Sequence, residues 1–208
     1  MLLIDTDLFL LLASANLLVD LAECLGIPPE NIRRLPALEY QIKSKSKRLI
    51  QNIPAVELTR LQSAIAATVA WTEIPEDALL LERLKVDNID DGEAELFATL
   101  YEHPVYLLGS GDKRALIALG STPELVDVRT ALKGRILSLE TALILLVRKF
   151  GATHVGSKLQ PLAAKHNTIY ILFGTKTTFD DSEAIRQIRS YLDHLVTQIG
   201  HPLLYPID

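Results

Sequence analysis

Apolar and polar positions alternate along this chain in two different periods. "MLLID" (1–5) is a short apolar run closed by an acid, the pattern of a strand buried on both faces. From Leu8 to Leu25 the apolar residues are nearly continuous, which predicts a helix buried on most sides, stopped by Gly26 and Pro28-Pro29. "PALEYQIKSKSKRLIQNI" (36–53) predicts a helix with one strongly polar side. "PAVELTRLQSAIAATVAWTEI" (54–74) places Val56, Leu58, Leu61, Ile65 and Val69 on one helical stripe, and "PEDALLLERL" (75–84) is a short helix opened by proline.

Further on, "DDGEAELFATLYEH" (90–103) reads as a helix with an acid-rich start and "PVYLLGS" (104–110) as a buried strand. "GDKRALIALG" (111–120) is a helix closed by Gly120, and "ELVDVR" (124–129) a further short strand. Strand and helix alternate, so the expected class is α/β with a mainly parallel central sheet covered by helices. After residue 134 the pattern becomes helical: "LSLETALILLVRKFG", "GSKLQPLAAKHN" and "DDSEAIRQIRSYLDHLVTQIG". The predicted organisation is a domain over 1–134 and a C-terminal helical extension over 135–208.

Composition narrows the function classes. The chain has 208 residues, 49% apolar and 23% charged, the balance of a protein that buries a core. A net charge of −5 is not that of a general polyanion binder, although a local basic patch can still meet nucleic acid. The single cysteine, Cys24, excludes an internal disulfide and reads as a small core residue. The longest uncharged run near the start, Leu8 to Val19, is too short to span a bilayer, and no basic segment precedes it. The expectation is a soluble cytoplasmic protein with no membrane contact.

The carboxylates carry the candidate chemistry. Ligands of open α/β sheets bind outside the carboxyl ends of the strands. Asp5 ends the first strand, Asp112 lies just past the strand 105–108, Glu93 opens the helix between them, and Glu39 follows Pro36 at the start of another helix. Several acids in one pocket repel one another unless a cation lies between them. Hard oxygen ligands suit Mg²⁺ or Mn²⁺, which acidify a bound water and stabilise charge on a phosphoryl group. Asp90, Asp91, Glu93 and Glu95 also have a plainer explanation, since the helix macrodipole favours acids at helix N-termini, whereas Asp5 follows an apolar strand and precedes a buried helix.

"LLIDTDLFLLL", "DDGEAELFATL" and "YLLGSGDKRALIALG" resemble, in order and spacing, the PIN-domain family, in the prokaryotic branch with a "GEAE" helix. The likeness covers roughly residues 1–130. It implies a PIN-like three-layer α/β/α sandwich and a Mg²⁺- or Mn²⁺-dependent ribonuclease that hydrolyses RNA phosphodiesters with metal-activated water, as in the toxins of toxin–antitoxin pairs. Carried over, the catalytic acids are Asp5, Glu39, Glu93 and Asp112, with Asp5, Glu93 and Asp112 on the metal. Glu95 is turned about 200° from Glu93 on a helix and ranks lower.

Around these acids, Lys43, Lys45, Lys47 and Arg48 form a basic run for RNA phosphates, with a solvated helix face as the alternative. Thr6 is a candidate phosphate ligand or helix cap, and Ser110 a polar neighbour of the last acid. Two features depart from the family: Gly111 stands before Asp112 where Asp or Asn is common, and the chain continues well past the last strand. They leave open a second function, a catalytically weak PIN-like binding or regulatory module acting through its C-terminal helices. An antitoxin-like protein is the implied partner, and the apolar face of Leu137, Leu139, Leu143, Leu146 and Val147 predicts burial in the same chain or in a homodimer. A phosphate-binding Rossmann protein is a poor third reading, because no glycine-rich loop follows the first strand.

Overall fold

A computed structural model describes residues 1–36, 38, 53–174 and 178–207. The chain opens with β1 (Leu2–Ile4), α1 (Thr6–Ser14), α2 (Leu18–Leu25) and β2 (Ile32–Arg34). Beyond the next helix, α3 (Ala55–Ala67), come β3 (Val69–Ala70), α4 (Ala78–Leu84), α5 (Asp91–Glu102), β4 (Leu107–Ser110) and α6 (Lys113–Ser121). The remainder is α7 (Val126–Ala131), β5 (Ile136–Ser138), α8 (Leu139–Phe150), α9 (Ala152–Leu159), short helical turns over residues 160–174, and α10 (Asp181–Ile199).

The five strands form one all-parallel sheet in the order β3-β2-β1-β4-β5. Its central strand shows why the apolar run at the N-terminus is continuous. Leu2 and Ile4 pack into the apolar cluster on one face, Leu3 into the cluster on the other, and all three are fully buried. Helices α1, α2, α8 and α9 cover the first face, and α4 to α7 cover the second. The parallel sheet covered by helices that the alternating pattern predicts is therefore the fold, a three-layer α/β/α sandwich.

Residues 135–208, expected as a helical extension, also supply β5. It pairs with β4 in the register Leu108↔Ile136, Gly109↔Leu137 and Ser110↔Ser138. Helix α10 reaches both faces, with Ile188 and Leu192 in one cluster and Leu195 and Ile199 in the other. It crosses α6 so closely that a methyl group on Gly120 would overlap the backbone carbonyl of Ile199. Leu137, Leu143, Leu146 and Val147 are fully buried within the one chain, so their apolarity no longer demands a second copy.

Other local readings change. "ELVDVR" is helical rather than a strand: Pro123 opens a 3₁₀ turn, and the buried residues are Leu125, Val128 and Leu132, spaced three and four apart. Val69, expected on a helical stripe, lies instead in β3, and Val56 on the same stripe is exposed. No single helix among the described residues is long and apolar enough to cross a membrane; α1 and α2, whose apolar run is longest, bend by 108° at their junction.

Candidate functional site

Asp5 sits where β1 ends. Its backbone N–H donates to the Gly109 carbonyl at 2.9 Å, so the β1–β4 pairing extends to the acid itself. The side chain caps α1 through Oδ1, which accepts from the Leu8 N–H at 2.7 Å, while Oδ2 accepts from the Gly111 N–H at 2.5 Å. The Ser110 hydroxyl is near enough to lower the Asp5 carboxyl, which places that serine beside the acid as expected. Asp5 is only 8% exposed, and burial raises its carboxyl above the usual range in spite of these donors; repulsion from Asp7 acts in the same direction. Thr6 is the first residue of α1 rather than its cap, and Asp5 holds that position.

The other two acids arrive in the same way. Asp90 caps α5 and forms a capping box with Glu93, whose Oε2 accepts from the Asp90 N–H at 2.8 Å. Asp112 caps α6, and its Oδ1 accepts from the backbone N–H groups of Arg114 and Ala115 at 2.8 and 3.3 Å. Three helix N-termini thus meet at the carboxyl edge of the sheet, each capped by an aspartate. The plainer explanation for acids at helix starts holds for all three caps and, through the capping box, for the position of Glu93; its raised carboxyl is what that explanation does not cover.

Asp5, Thr6, Asp7, Asp90, Glu93 and Asp112 line one cleft of about 220 Å³ together with Leu35, Gly92 and Leu96. Burial, reinforced by the charges of Asp90, Asp112 and Asp5, raises the Glu93 carboxyl to about 7. A surface acid in a capping box would have no such reason to rise. Burial pushes Asp112 up as well, but the Arg114 guanidinium at 3.2 Å and the two helix N–H groups outweigh it and hold Asp112 low. Glu95 is exposed and takes no part in the lining, as its helical position requires.

The donor set is the kind that suits a hard divalent cation, and an ion would relieve the repulsion acting on Glu93. Its oxygens are, however, already engaged by backbone donors and by Arg114. Among the described residues no three His, Cys, Asp or Glu side chains stand close enough together to hold an ion. The cleft therefore fits Mg²⁺ or Mn²⁺ in chemistry, and side-chain movement is needed before three acids can ligate one.

Asp5, Thr6, Glu93, Ser110 and Asp112 are thus brought together as the sequence predicted. Glu39, Lys43, Lys45, Lys47 and Arg48 lie outside the described residues. Asp7 and Asp90 were missed as members of the cleft, although both flank predicted acids at helix starts. Comparison with family models, with curated proteins and with solved structures finds no match.

Proposed function

We propose that this protein is a divalent-metal-dependent ribonuclease whose site is the carboxylate cleft at the carboxyl edge of the sheet. The observation that carries the reading is Glu93: a half-buried carboxyl raised to about 7 in a cleft lined by four further acids. Raised carboxyls beside like charges are the mark of sites that bind cations or move protons. RNA as the substrate, and an antitoxin-like protein as a partner, follow from the family resemblance of the three N-terminal segments.

Asp5, Glu93 and Asp112 would hold the ion. Once bound, Mg²⁺ or Mn²⁺ acidifies water and offsets charge on a phosphoryl oxygen. The chain's own contribution is position. Asp5 is fixed by two backbone donors, the Leu8 and Gly111 N–H groups, and the second ties it to the strand end that leads to Asp112. Glu93 exchanges its proton near neutral pH and can leave the Asp90 N–H to face an ion. Three helix N-termini direct partial positive charge into the same cleft, which favours a bound phosphate.

One observation favours the second reading, a PIN-like binding module without strong catalysis. Asp112 is already paired with Arg114, so one ligand is partly neutralised before any ion arrives. Cleavage of a single-stranded RNA in Mn²⁺ by the parent and by Asp112→Asn decides between them. Asparagine caps a helix as well as aspartate, so the variant stays folded. The ribonuclease reading expects cleavage by the parent and a loss of orders of magnitude in the variant. A parent that neither cleaves RNA nor binds a divalent ion moves the assignment to the binding module.

A further inference from the structure

Beside the acid cleft lies a second, larger cavity of about 450 Å³, within the range of small-molecule sites. Asp7 lines both cavities, and Gly111, whose N–H holds Asp5, lines the larger one. The two spaces therefore adjoin across the start of α1. The walls of the larger one are mostly leucine: Leu11 from α1, Leu61 from α3, Leu139 from α8 and Leu162 from the turns that follow α9.

Besides Asp7 and Ser14, three polar side chains interrupt these walls. Glu57 is 9% exposed, and its carboxylate is met by the Lys165 ammonium at 3.0 Å. His166 stands next in the chain and lines the same space. Burial holds its imidazole below the usual range, offset in part by Asp7 and Glu57, so at neutral pH the ring is uncharged, with one donor and one acceptor nitrogen. An aliphatic chain has no use for an ion pair in its wall. A flat ring with apolar faces and a hydrogen-bonding edge uses both kinds of surface.

Resting on the ribonuclease reading, we infer that this cavity receives the base of the nucleotide whose phosphate lies at the acid cleft. The leucines enclose the faces of the base. Glu57 accepts from, and Lys165 donates to, its polar edge. An apolar pocket carrying a few placed polar groups is the usual form of such a site.

The test uses the full chain with methyl-labelled leucine, in Mg²⁺, titrated with adenosine and cytidine 5′-monophosphates and with ribose 5-phosphate. The expected result is saturable shifts of the Leu61, Leu139 and Leu162 methyls with the nucleotides and none with the sugar phosphate. Lys165→Met should weaken nucleotide binding at least fivefold, and Leu139→Phe, which narrows the cavity from its rim, should do the same. An unchanged Leu108 methyl shows that the variants are folded. Shifts confined to Leu96 in the acid cleft, or equal shifts with ribose 5-phosphate, overturn the inference. RNA cleavage without pocket shifts rejects the base pocket and leaves the nuclease standing. Pocket shifts without cleavage do the reverse.

Discussion

Glu140 and Glu93 are both acids in the first turn of a helix, and the fold treats them in opposite ways. Glu140 is fully buried, and the Lys113 ammonium stands 2.5 Å from its Oε1. Asp20, partly buried between α2 and α9, is likewise met by Lys158 at 2.8 Å and His154 at 2.7 Å. Glu93 faces Asp5, Asp90 and Asp112, and among the described residues it forms no salt bridge. Even Lys113, the residue after Asp112, is turned to Glu140. Among the described residues, buried acids that serve packing meet a cation, while at the carboxyl edge of the sheet only Asp112 is paired, with Arg114. That difference is the physical basis for assigning a cation to one place and not to the other.

The contrast breaks most readily at Glu140. Glu140→Gln leaves the Lys113 ammonium without its counter-charge and a neutral amide buried in its place, so unfolding in denaturant should show a loss of about 3 kcal/mol. Asp112→Asn, which keeps the cap on α6, should cost well under 1 kcal/mol in the same assay. Equal losses would mean that the two sites are built alike.

The next effect is a pH dependence. Glu93 ionises near 7 in the folded chain and near 4.5 when unfolded, so the folded state holds the extra proton between those values. Stability therefore falls as pH rises from about 4.5 to about 7. Asp5, also raised, adds to the fall from the acid side. The group is half exposed, so screening limits the drop to about 1 kcal/mol. Glu93→Gln, which preserves the capping box, should flatten that slope and gain stability at pH 8. A slope that persists in the variant assigns the titration elsewhere.

The smallest effect belongs to the compensated surface cluster. Asp20→Asn should lower stability by about 0.5 kcal/mol, less at high salt, because its partners are partly solvated. A cost above about 2 kcal/mol would place that cluster with Glu140 rather than at the surface.

How much of this was legible depended on the length of each signal. β1 and β4 are apolar runs followed by an acid and a helix, and both strands, with Asp5 and Asp112, can be read directly. β2 carries two arginines in three residues, and β3 has only two residues at the sheet edge, so neither produces an apolar run. β5 is three residues joined to α8 with no turn between, so Leu137 and Ser138 read as the start of the helix. Glu93 was found because it opens a helix. Glu140 does the same and was passed over, since sequence alone does not show that Lys113 lies against it. Charge compensation is a property of packing between distant segments.

The central claim is that Asp5 and Glu93 at the carboxyl edge have, among the described residues, no ion-pair partner, and that a divalent ion would supply the missing charge. Calorimetric titration of Mn²⁺ at pH 8, where Glu93 is ionised, tests it most directly in the parent, Glu93→Gln, Asp112→Asn and Glu140→Gln. The account predicts one ion per chain in the parent, binding at least tenfold weaker in the first two variants, and unchanged affinity in folded Glu140→Gln. No binding by the parent, or the same affinity in Glu93→Gln and Asp112→Asn as in the parent, would contradict it.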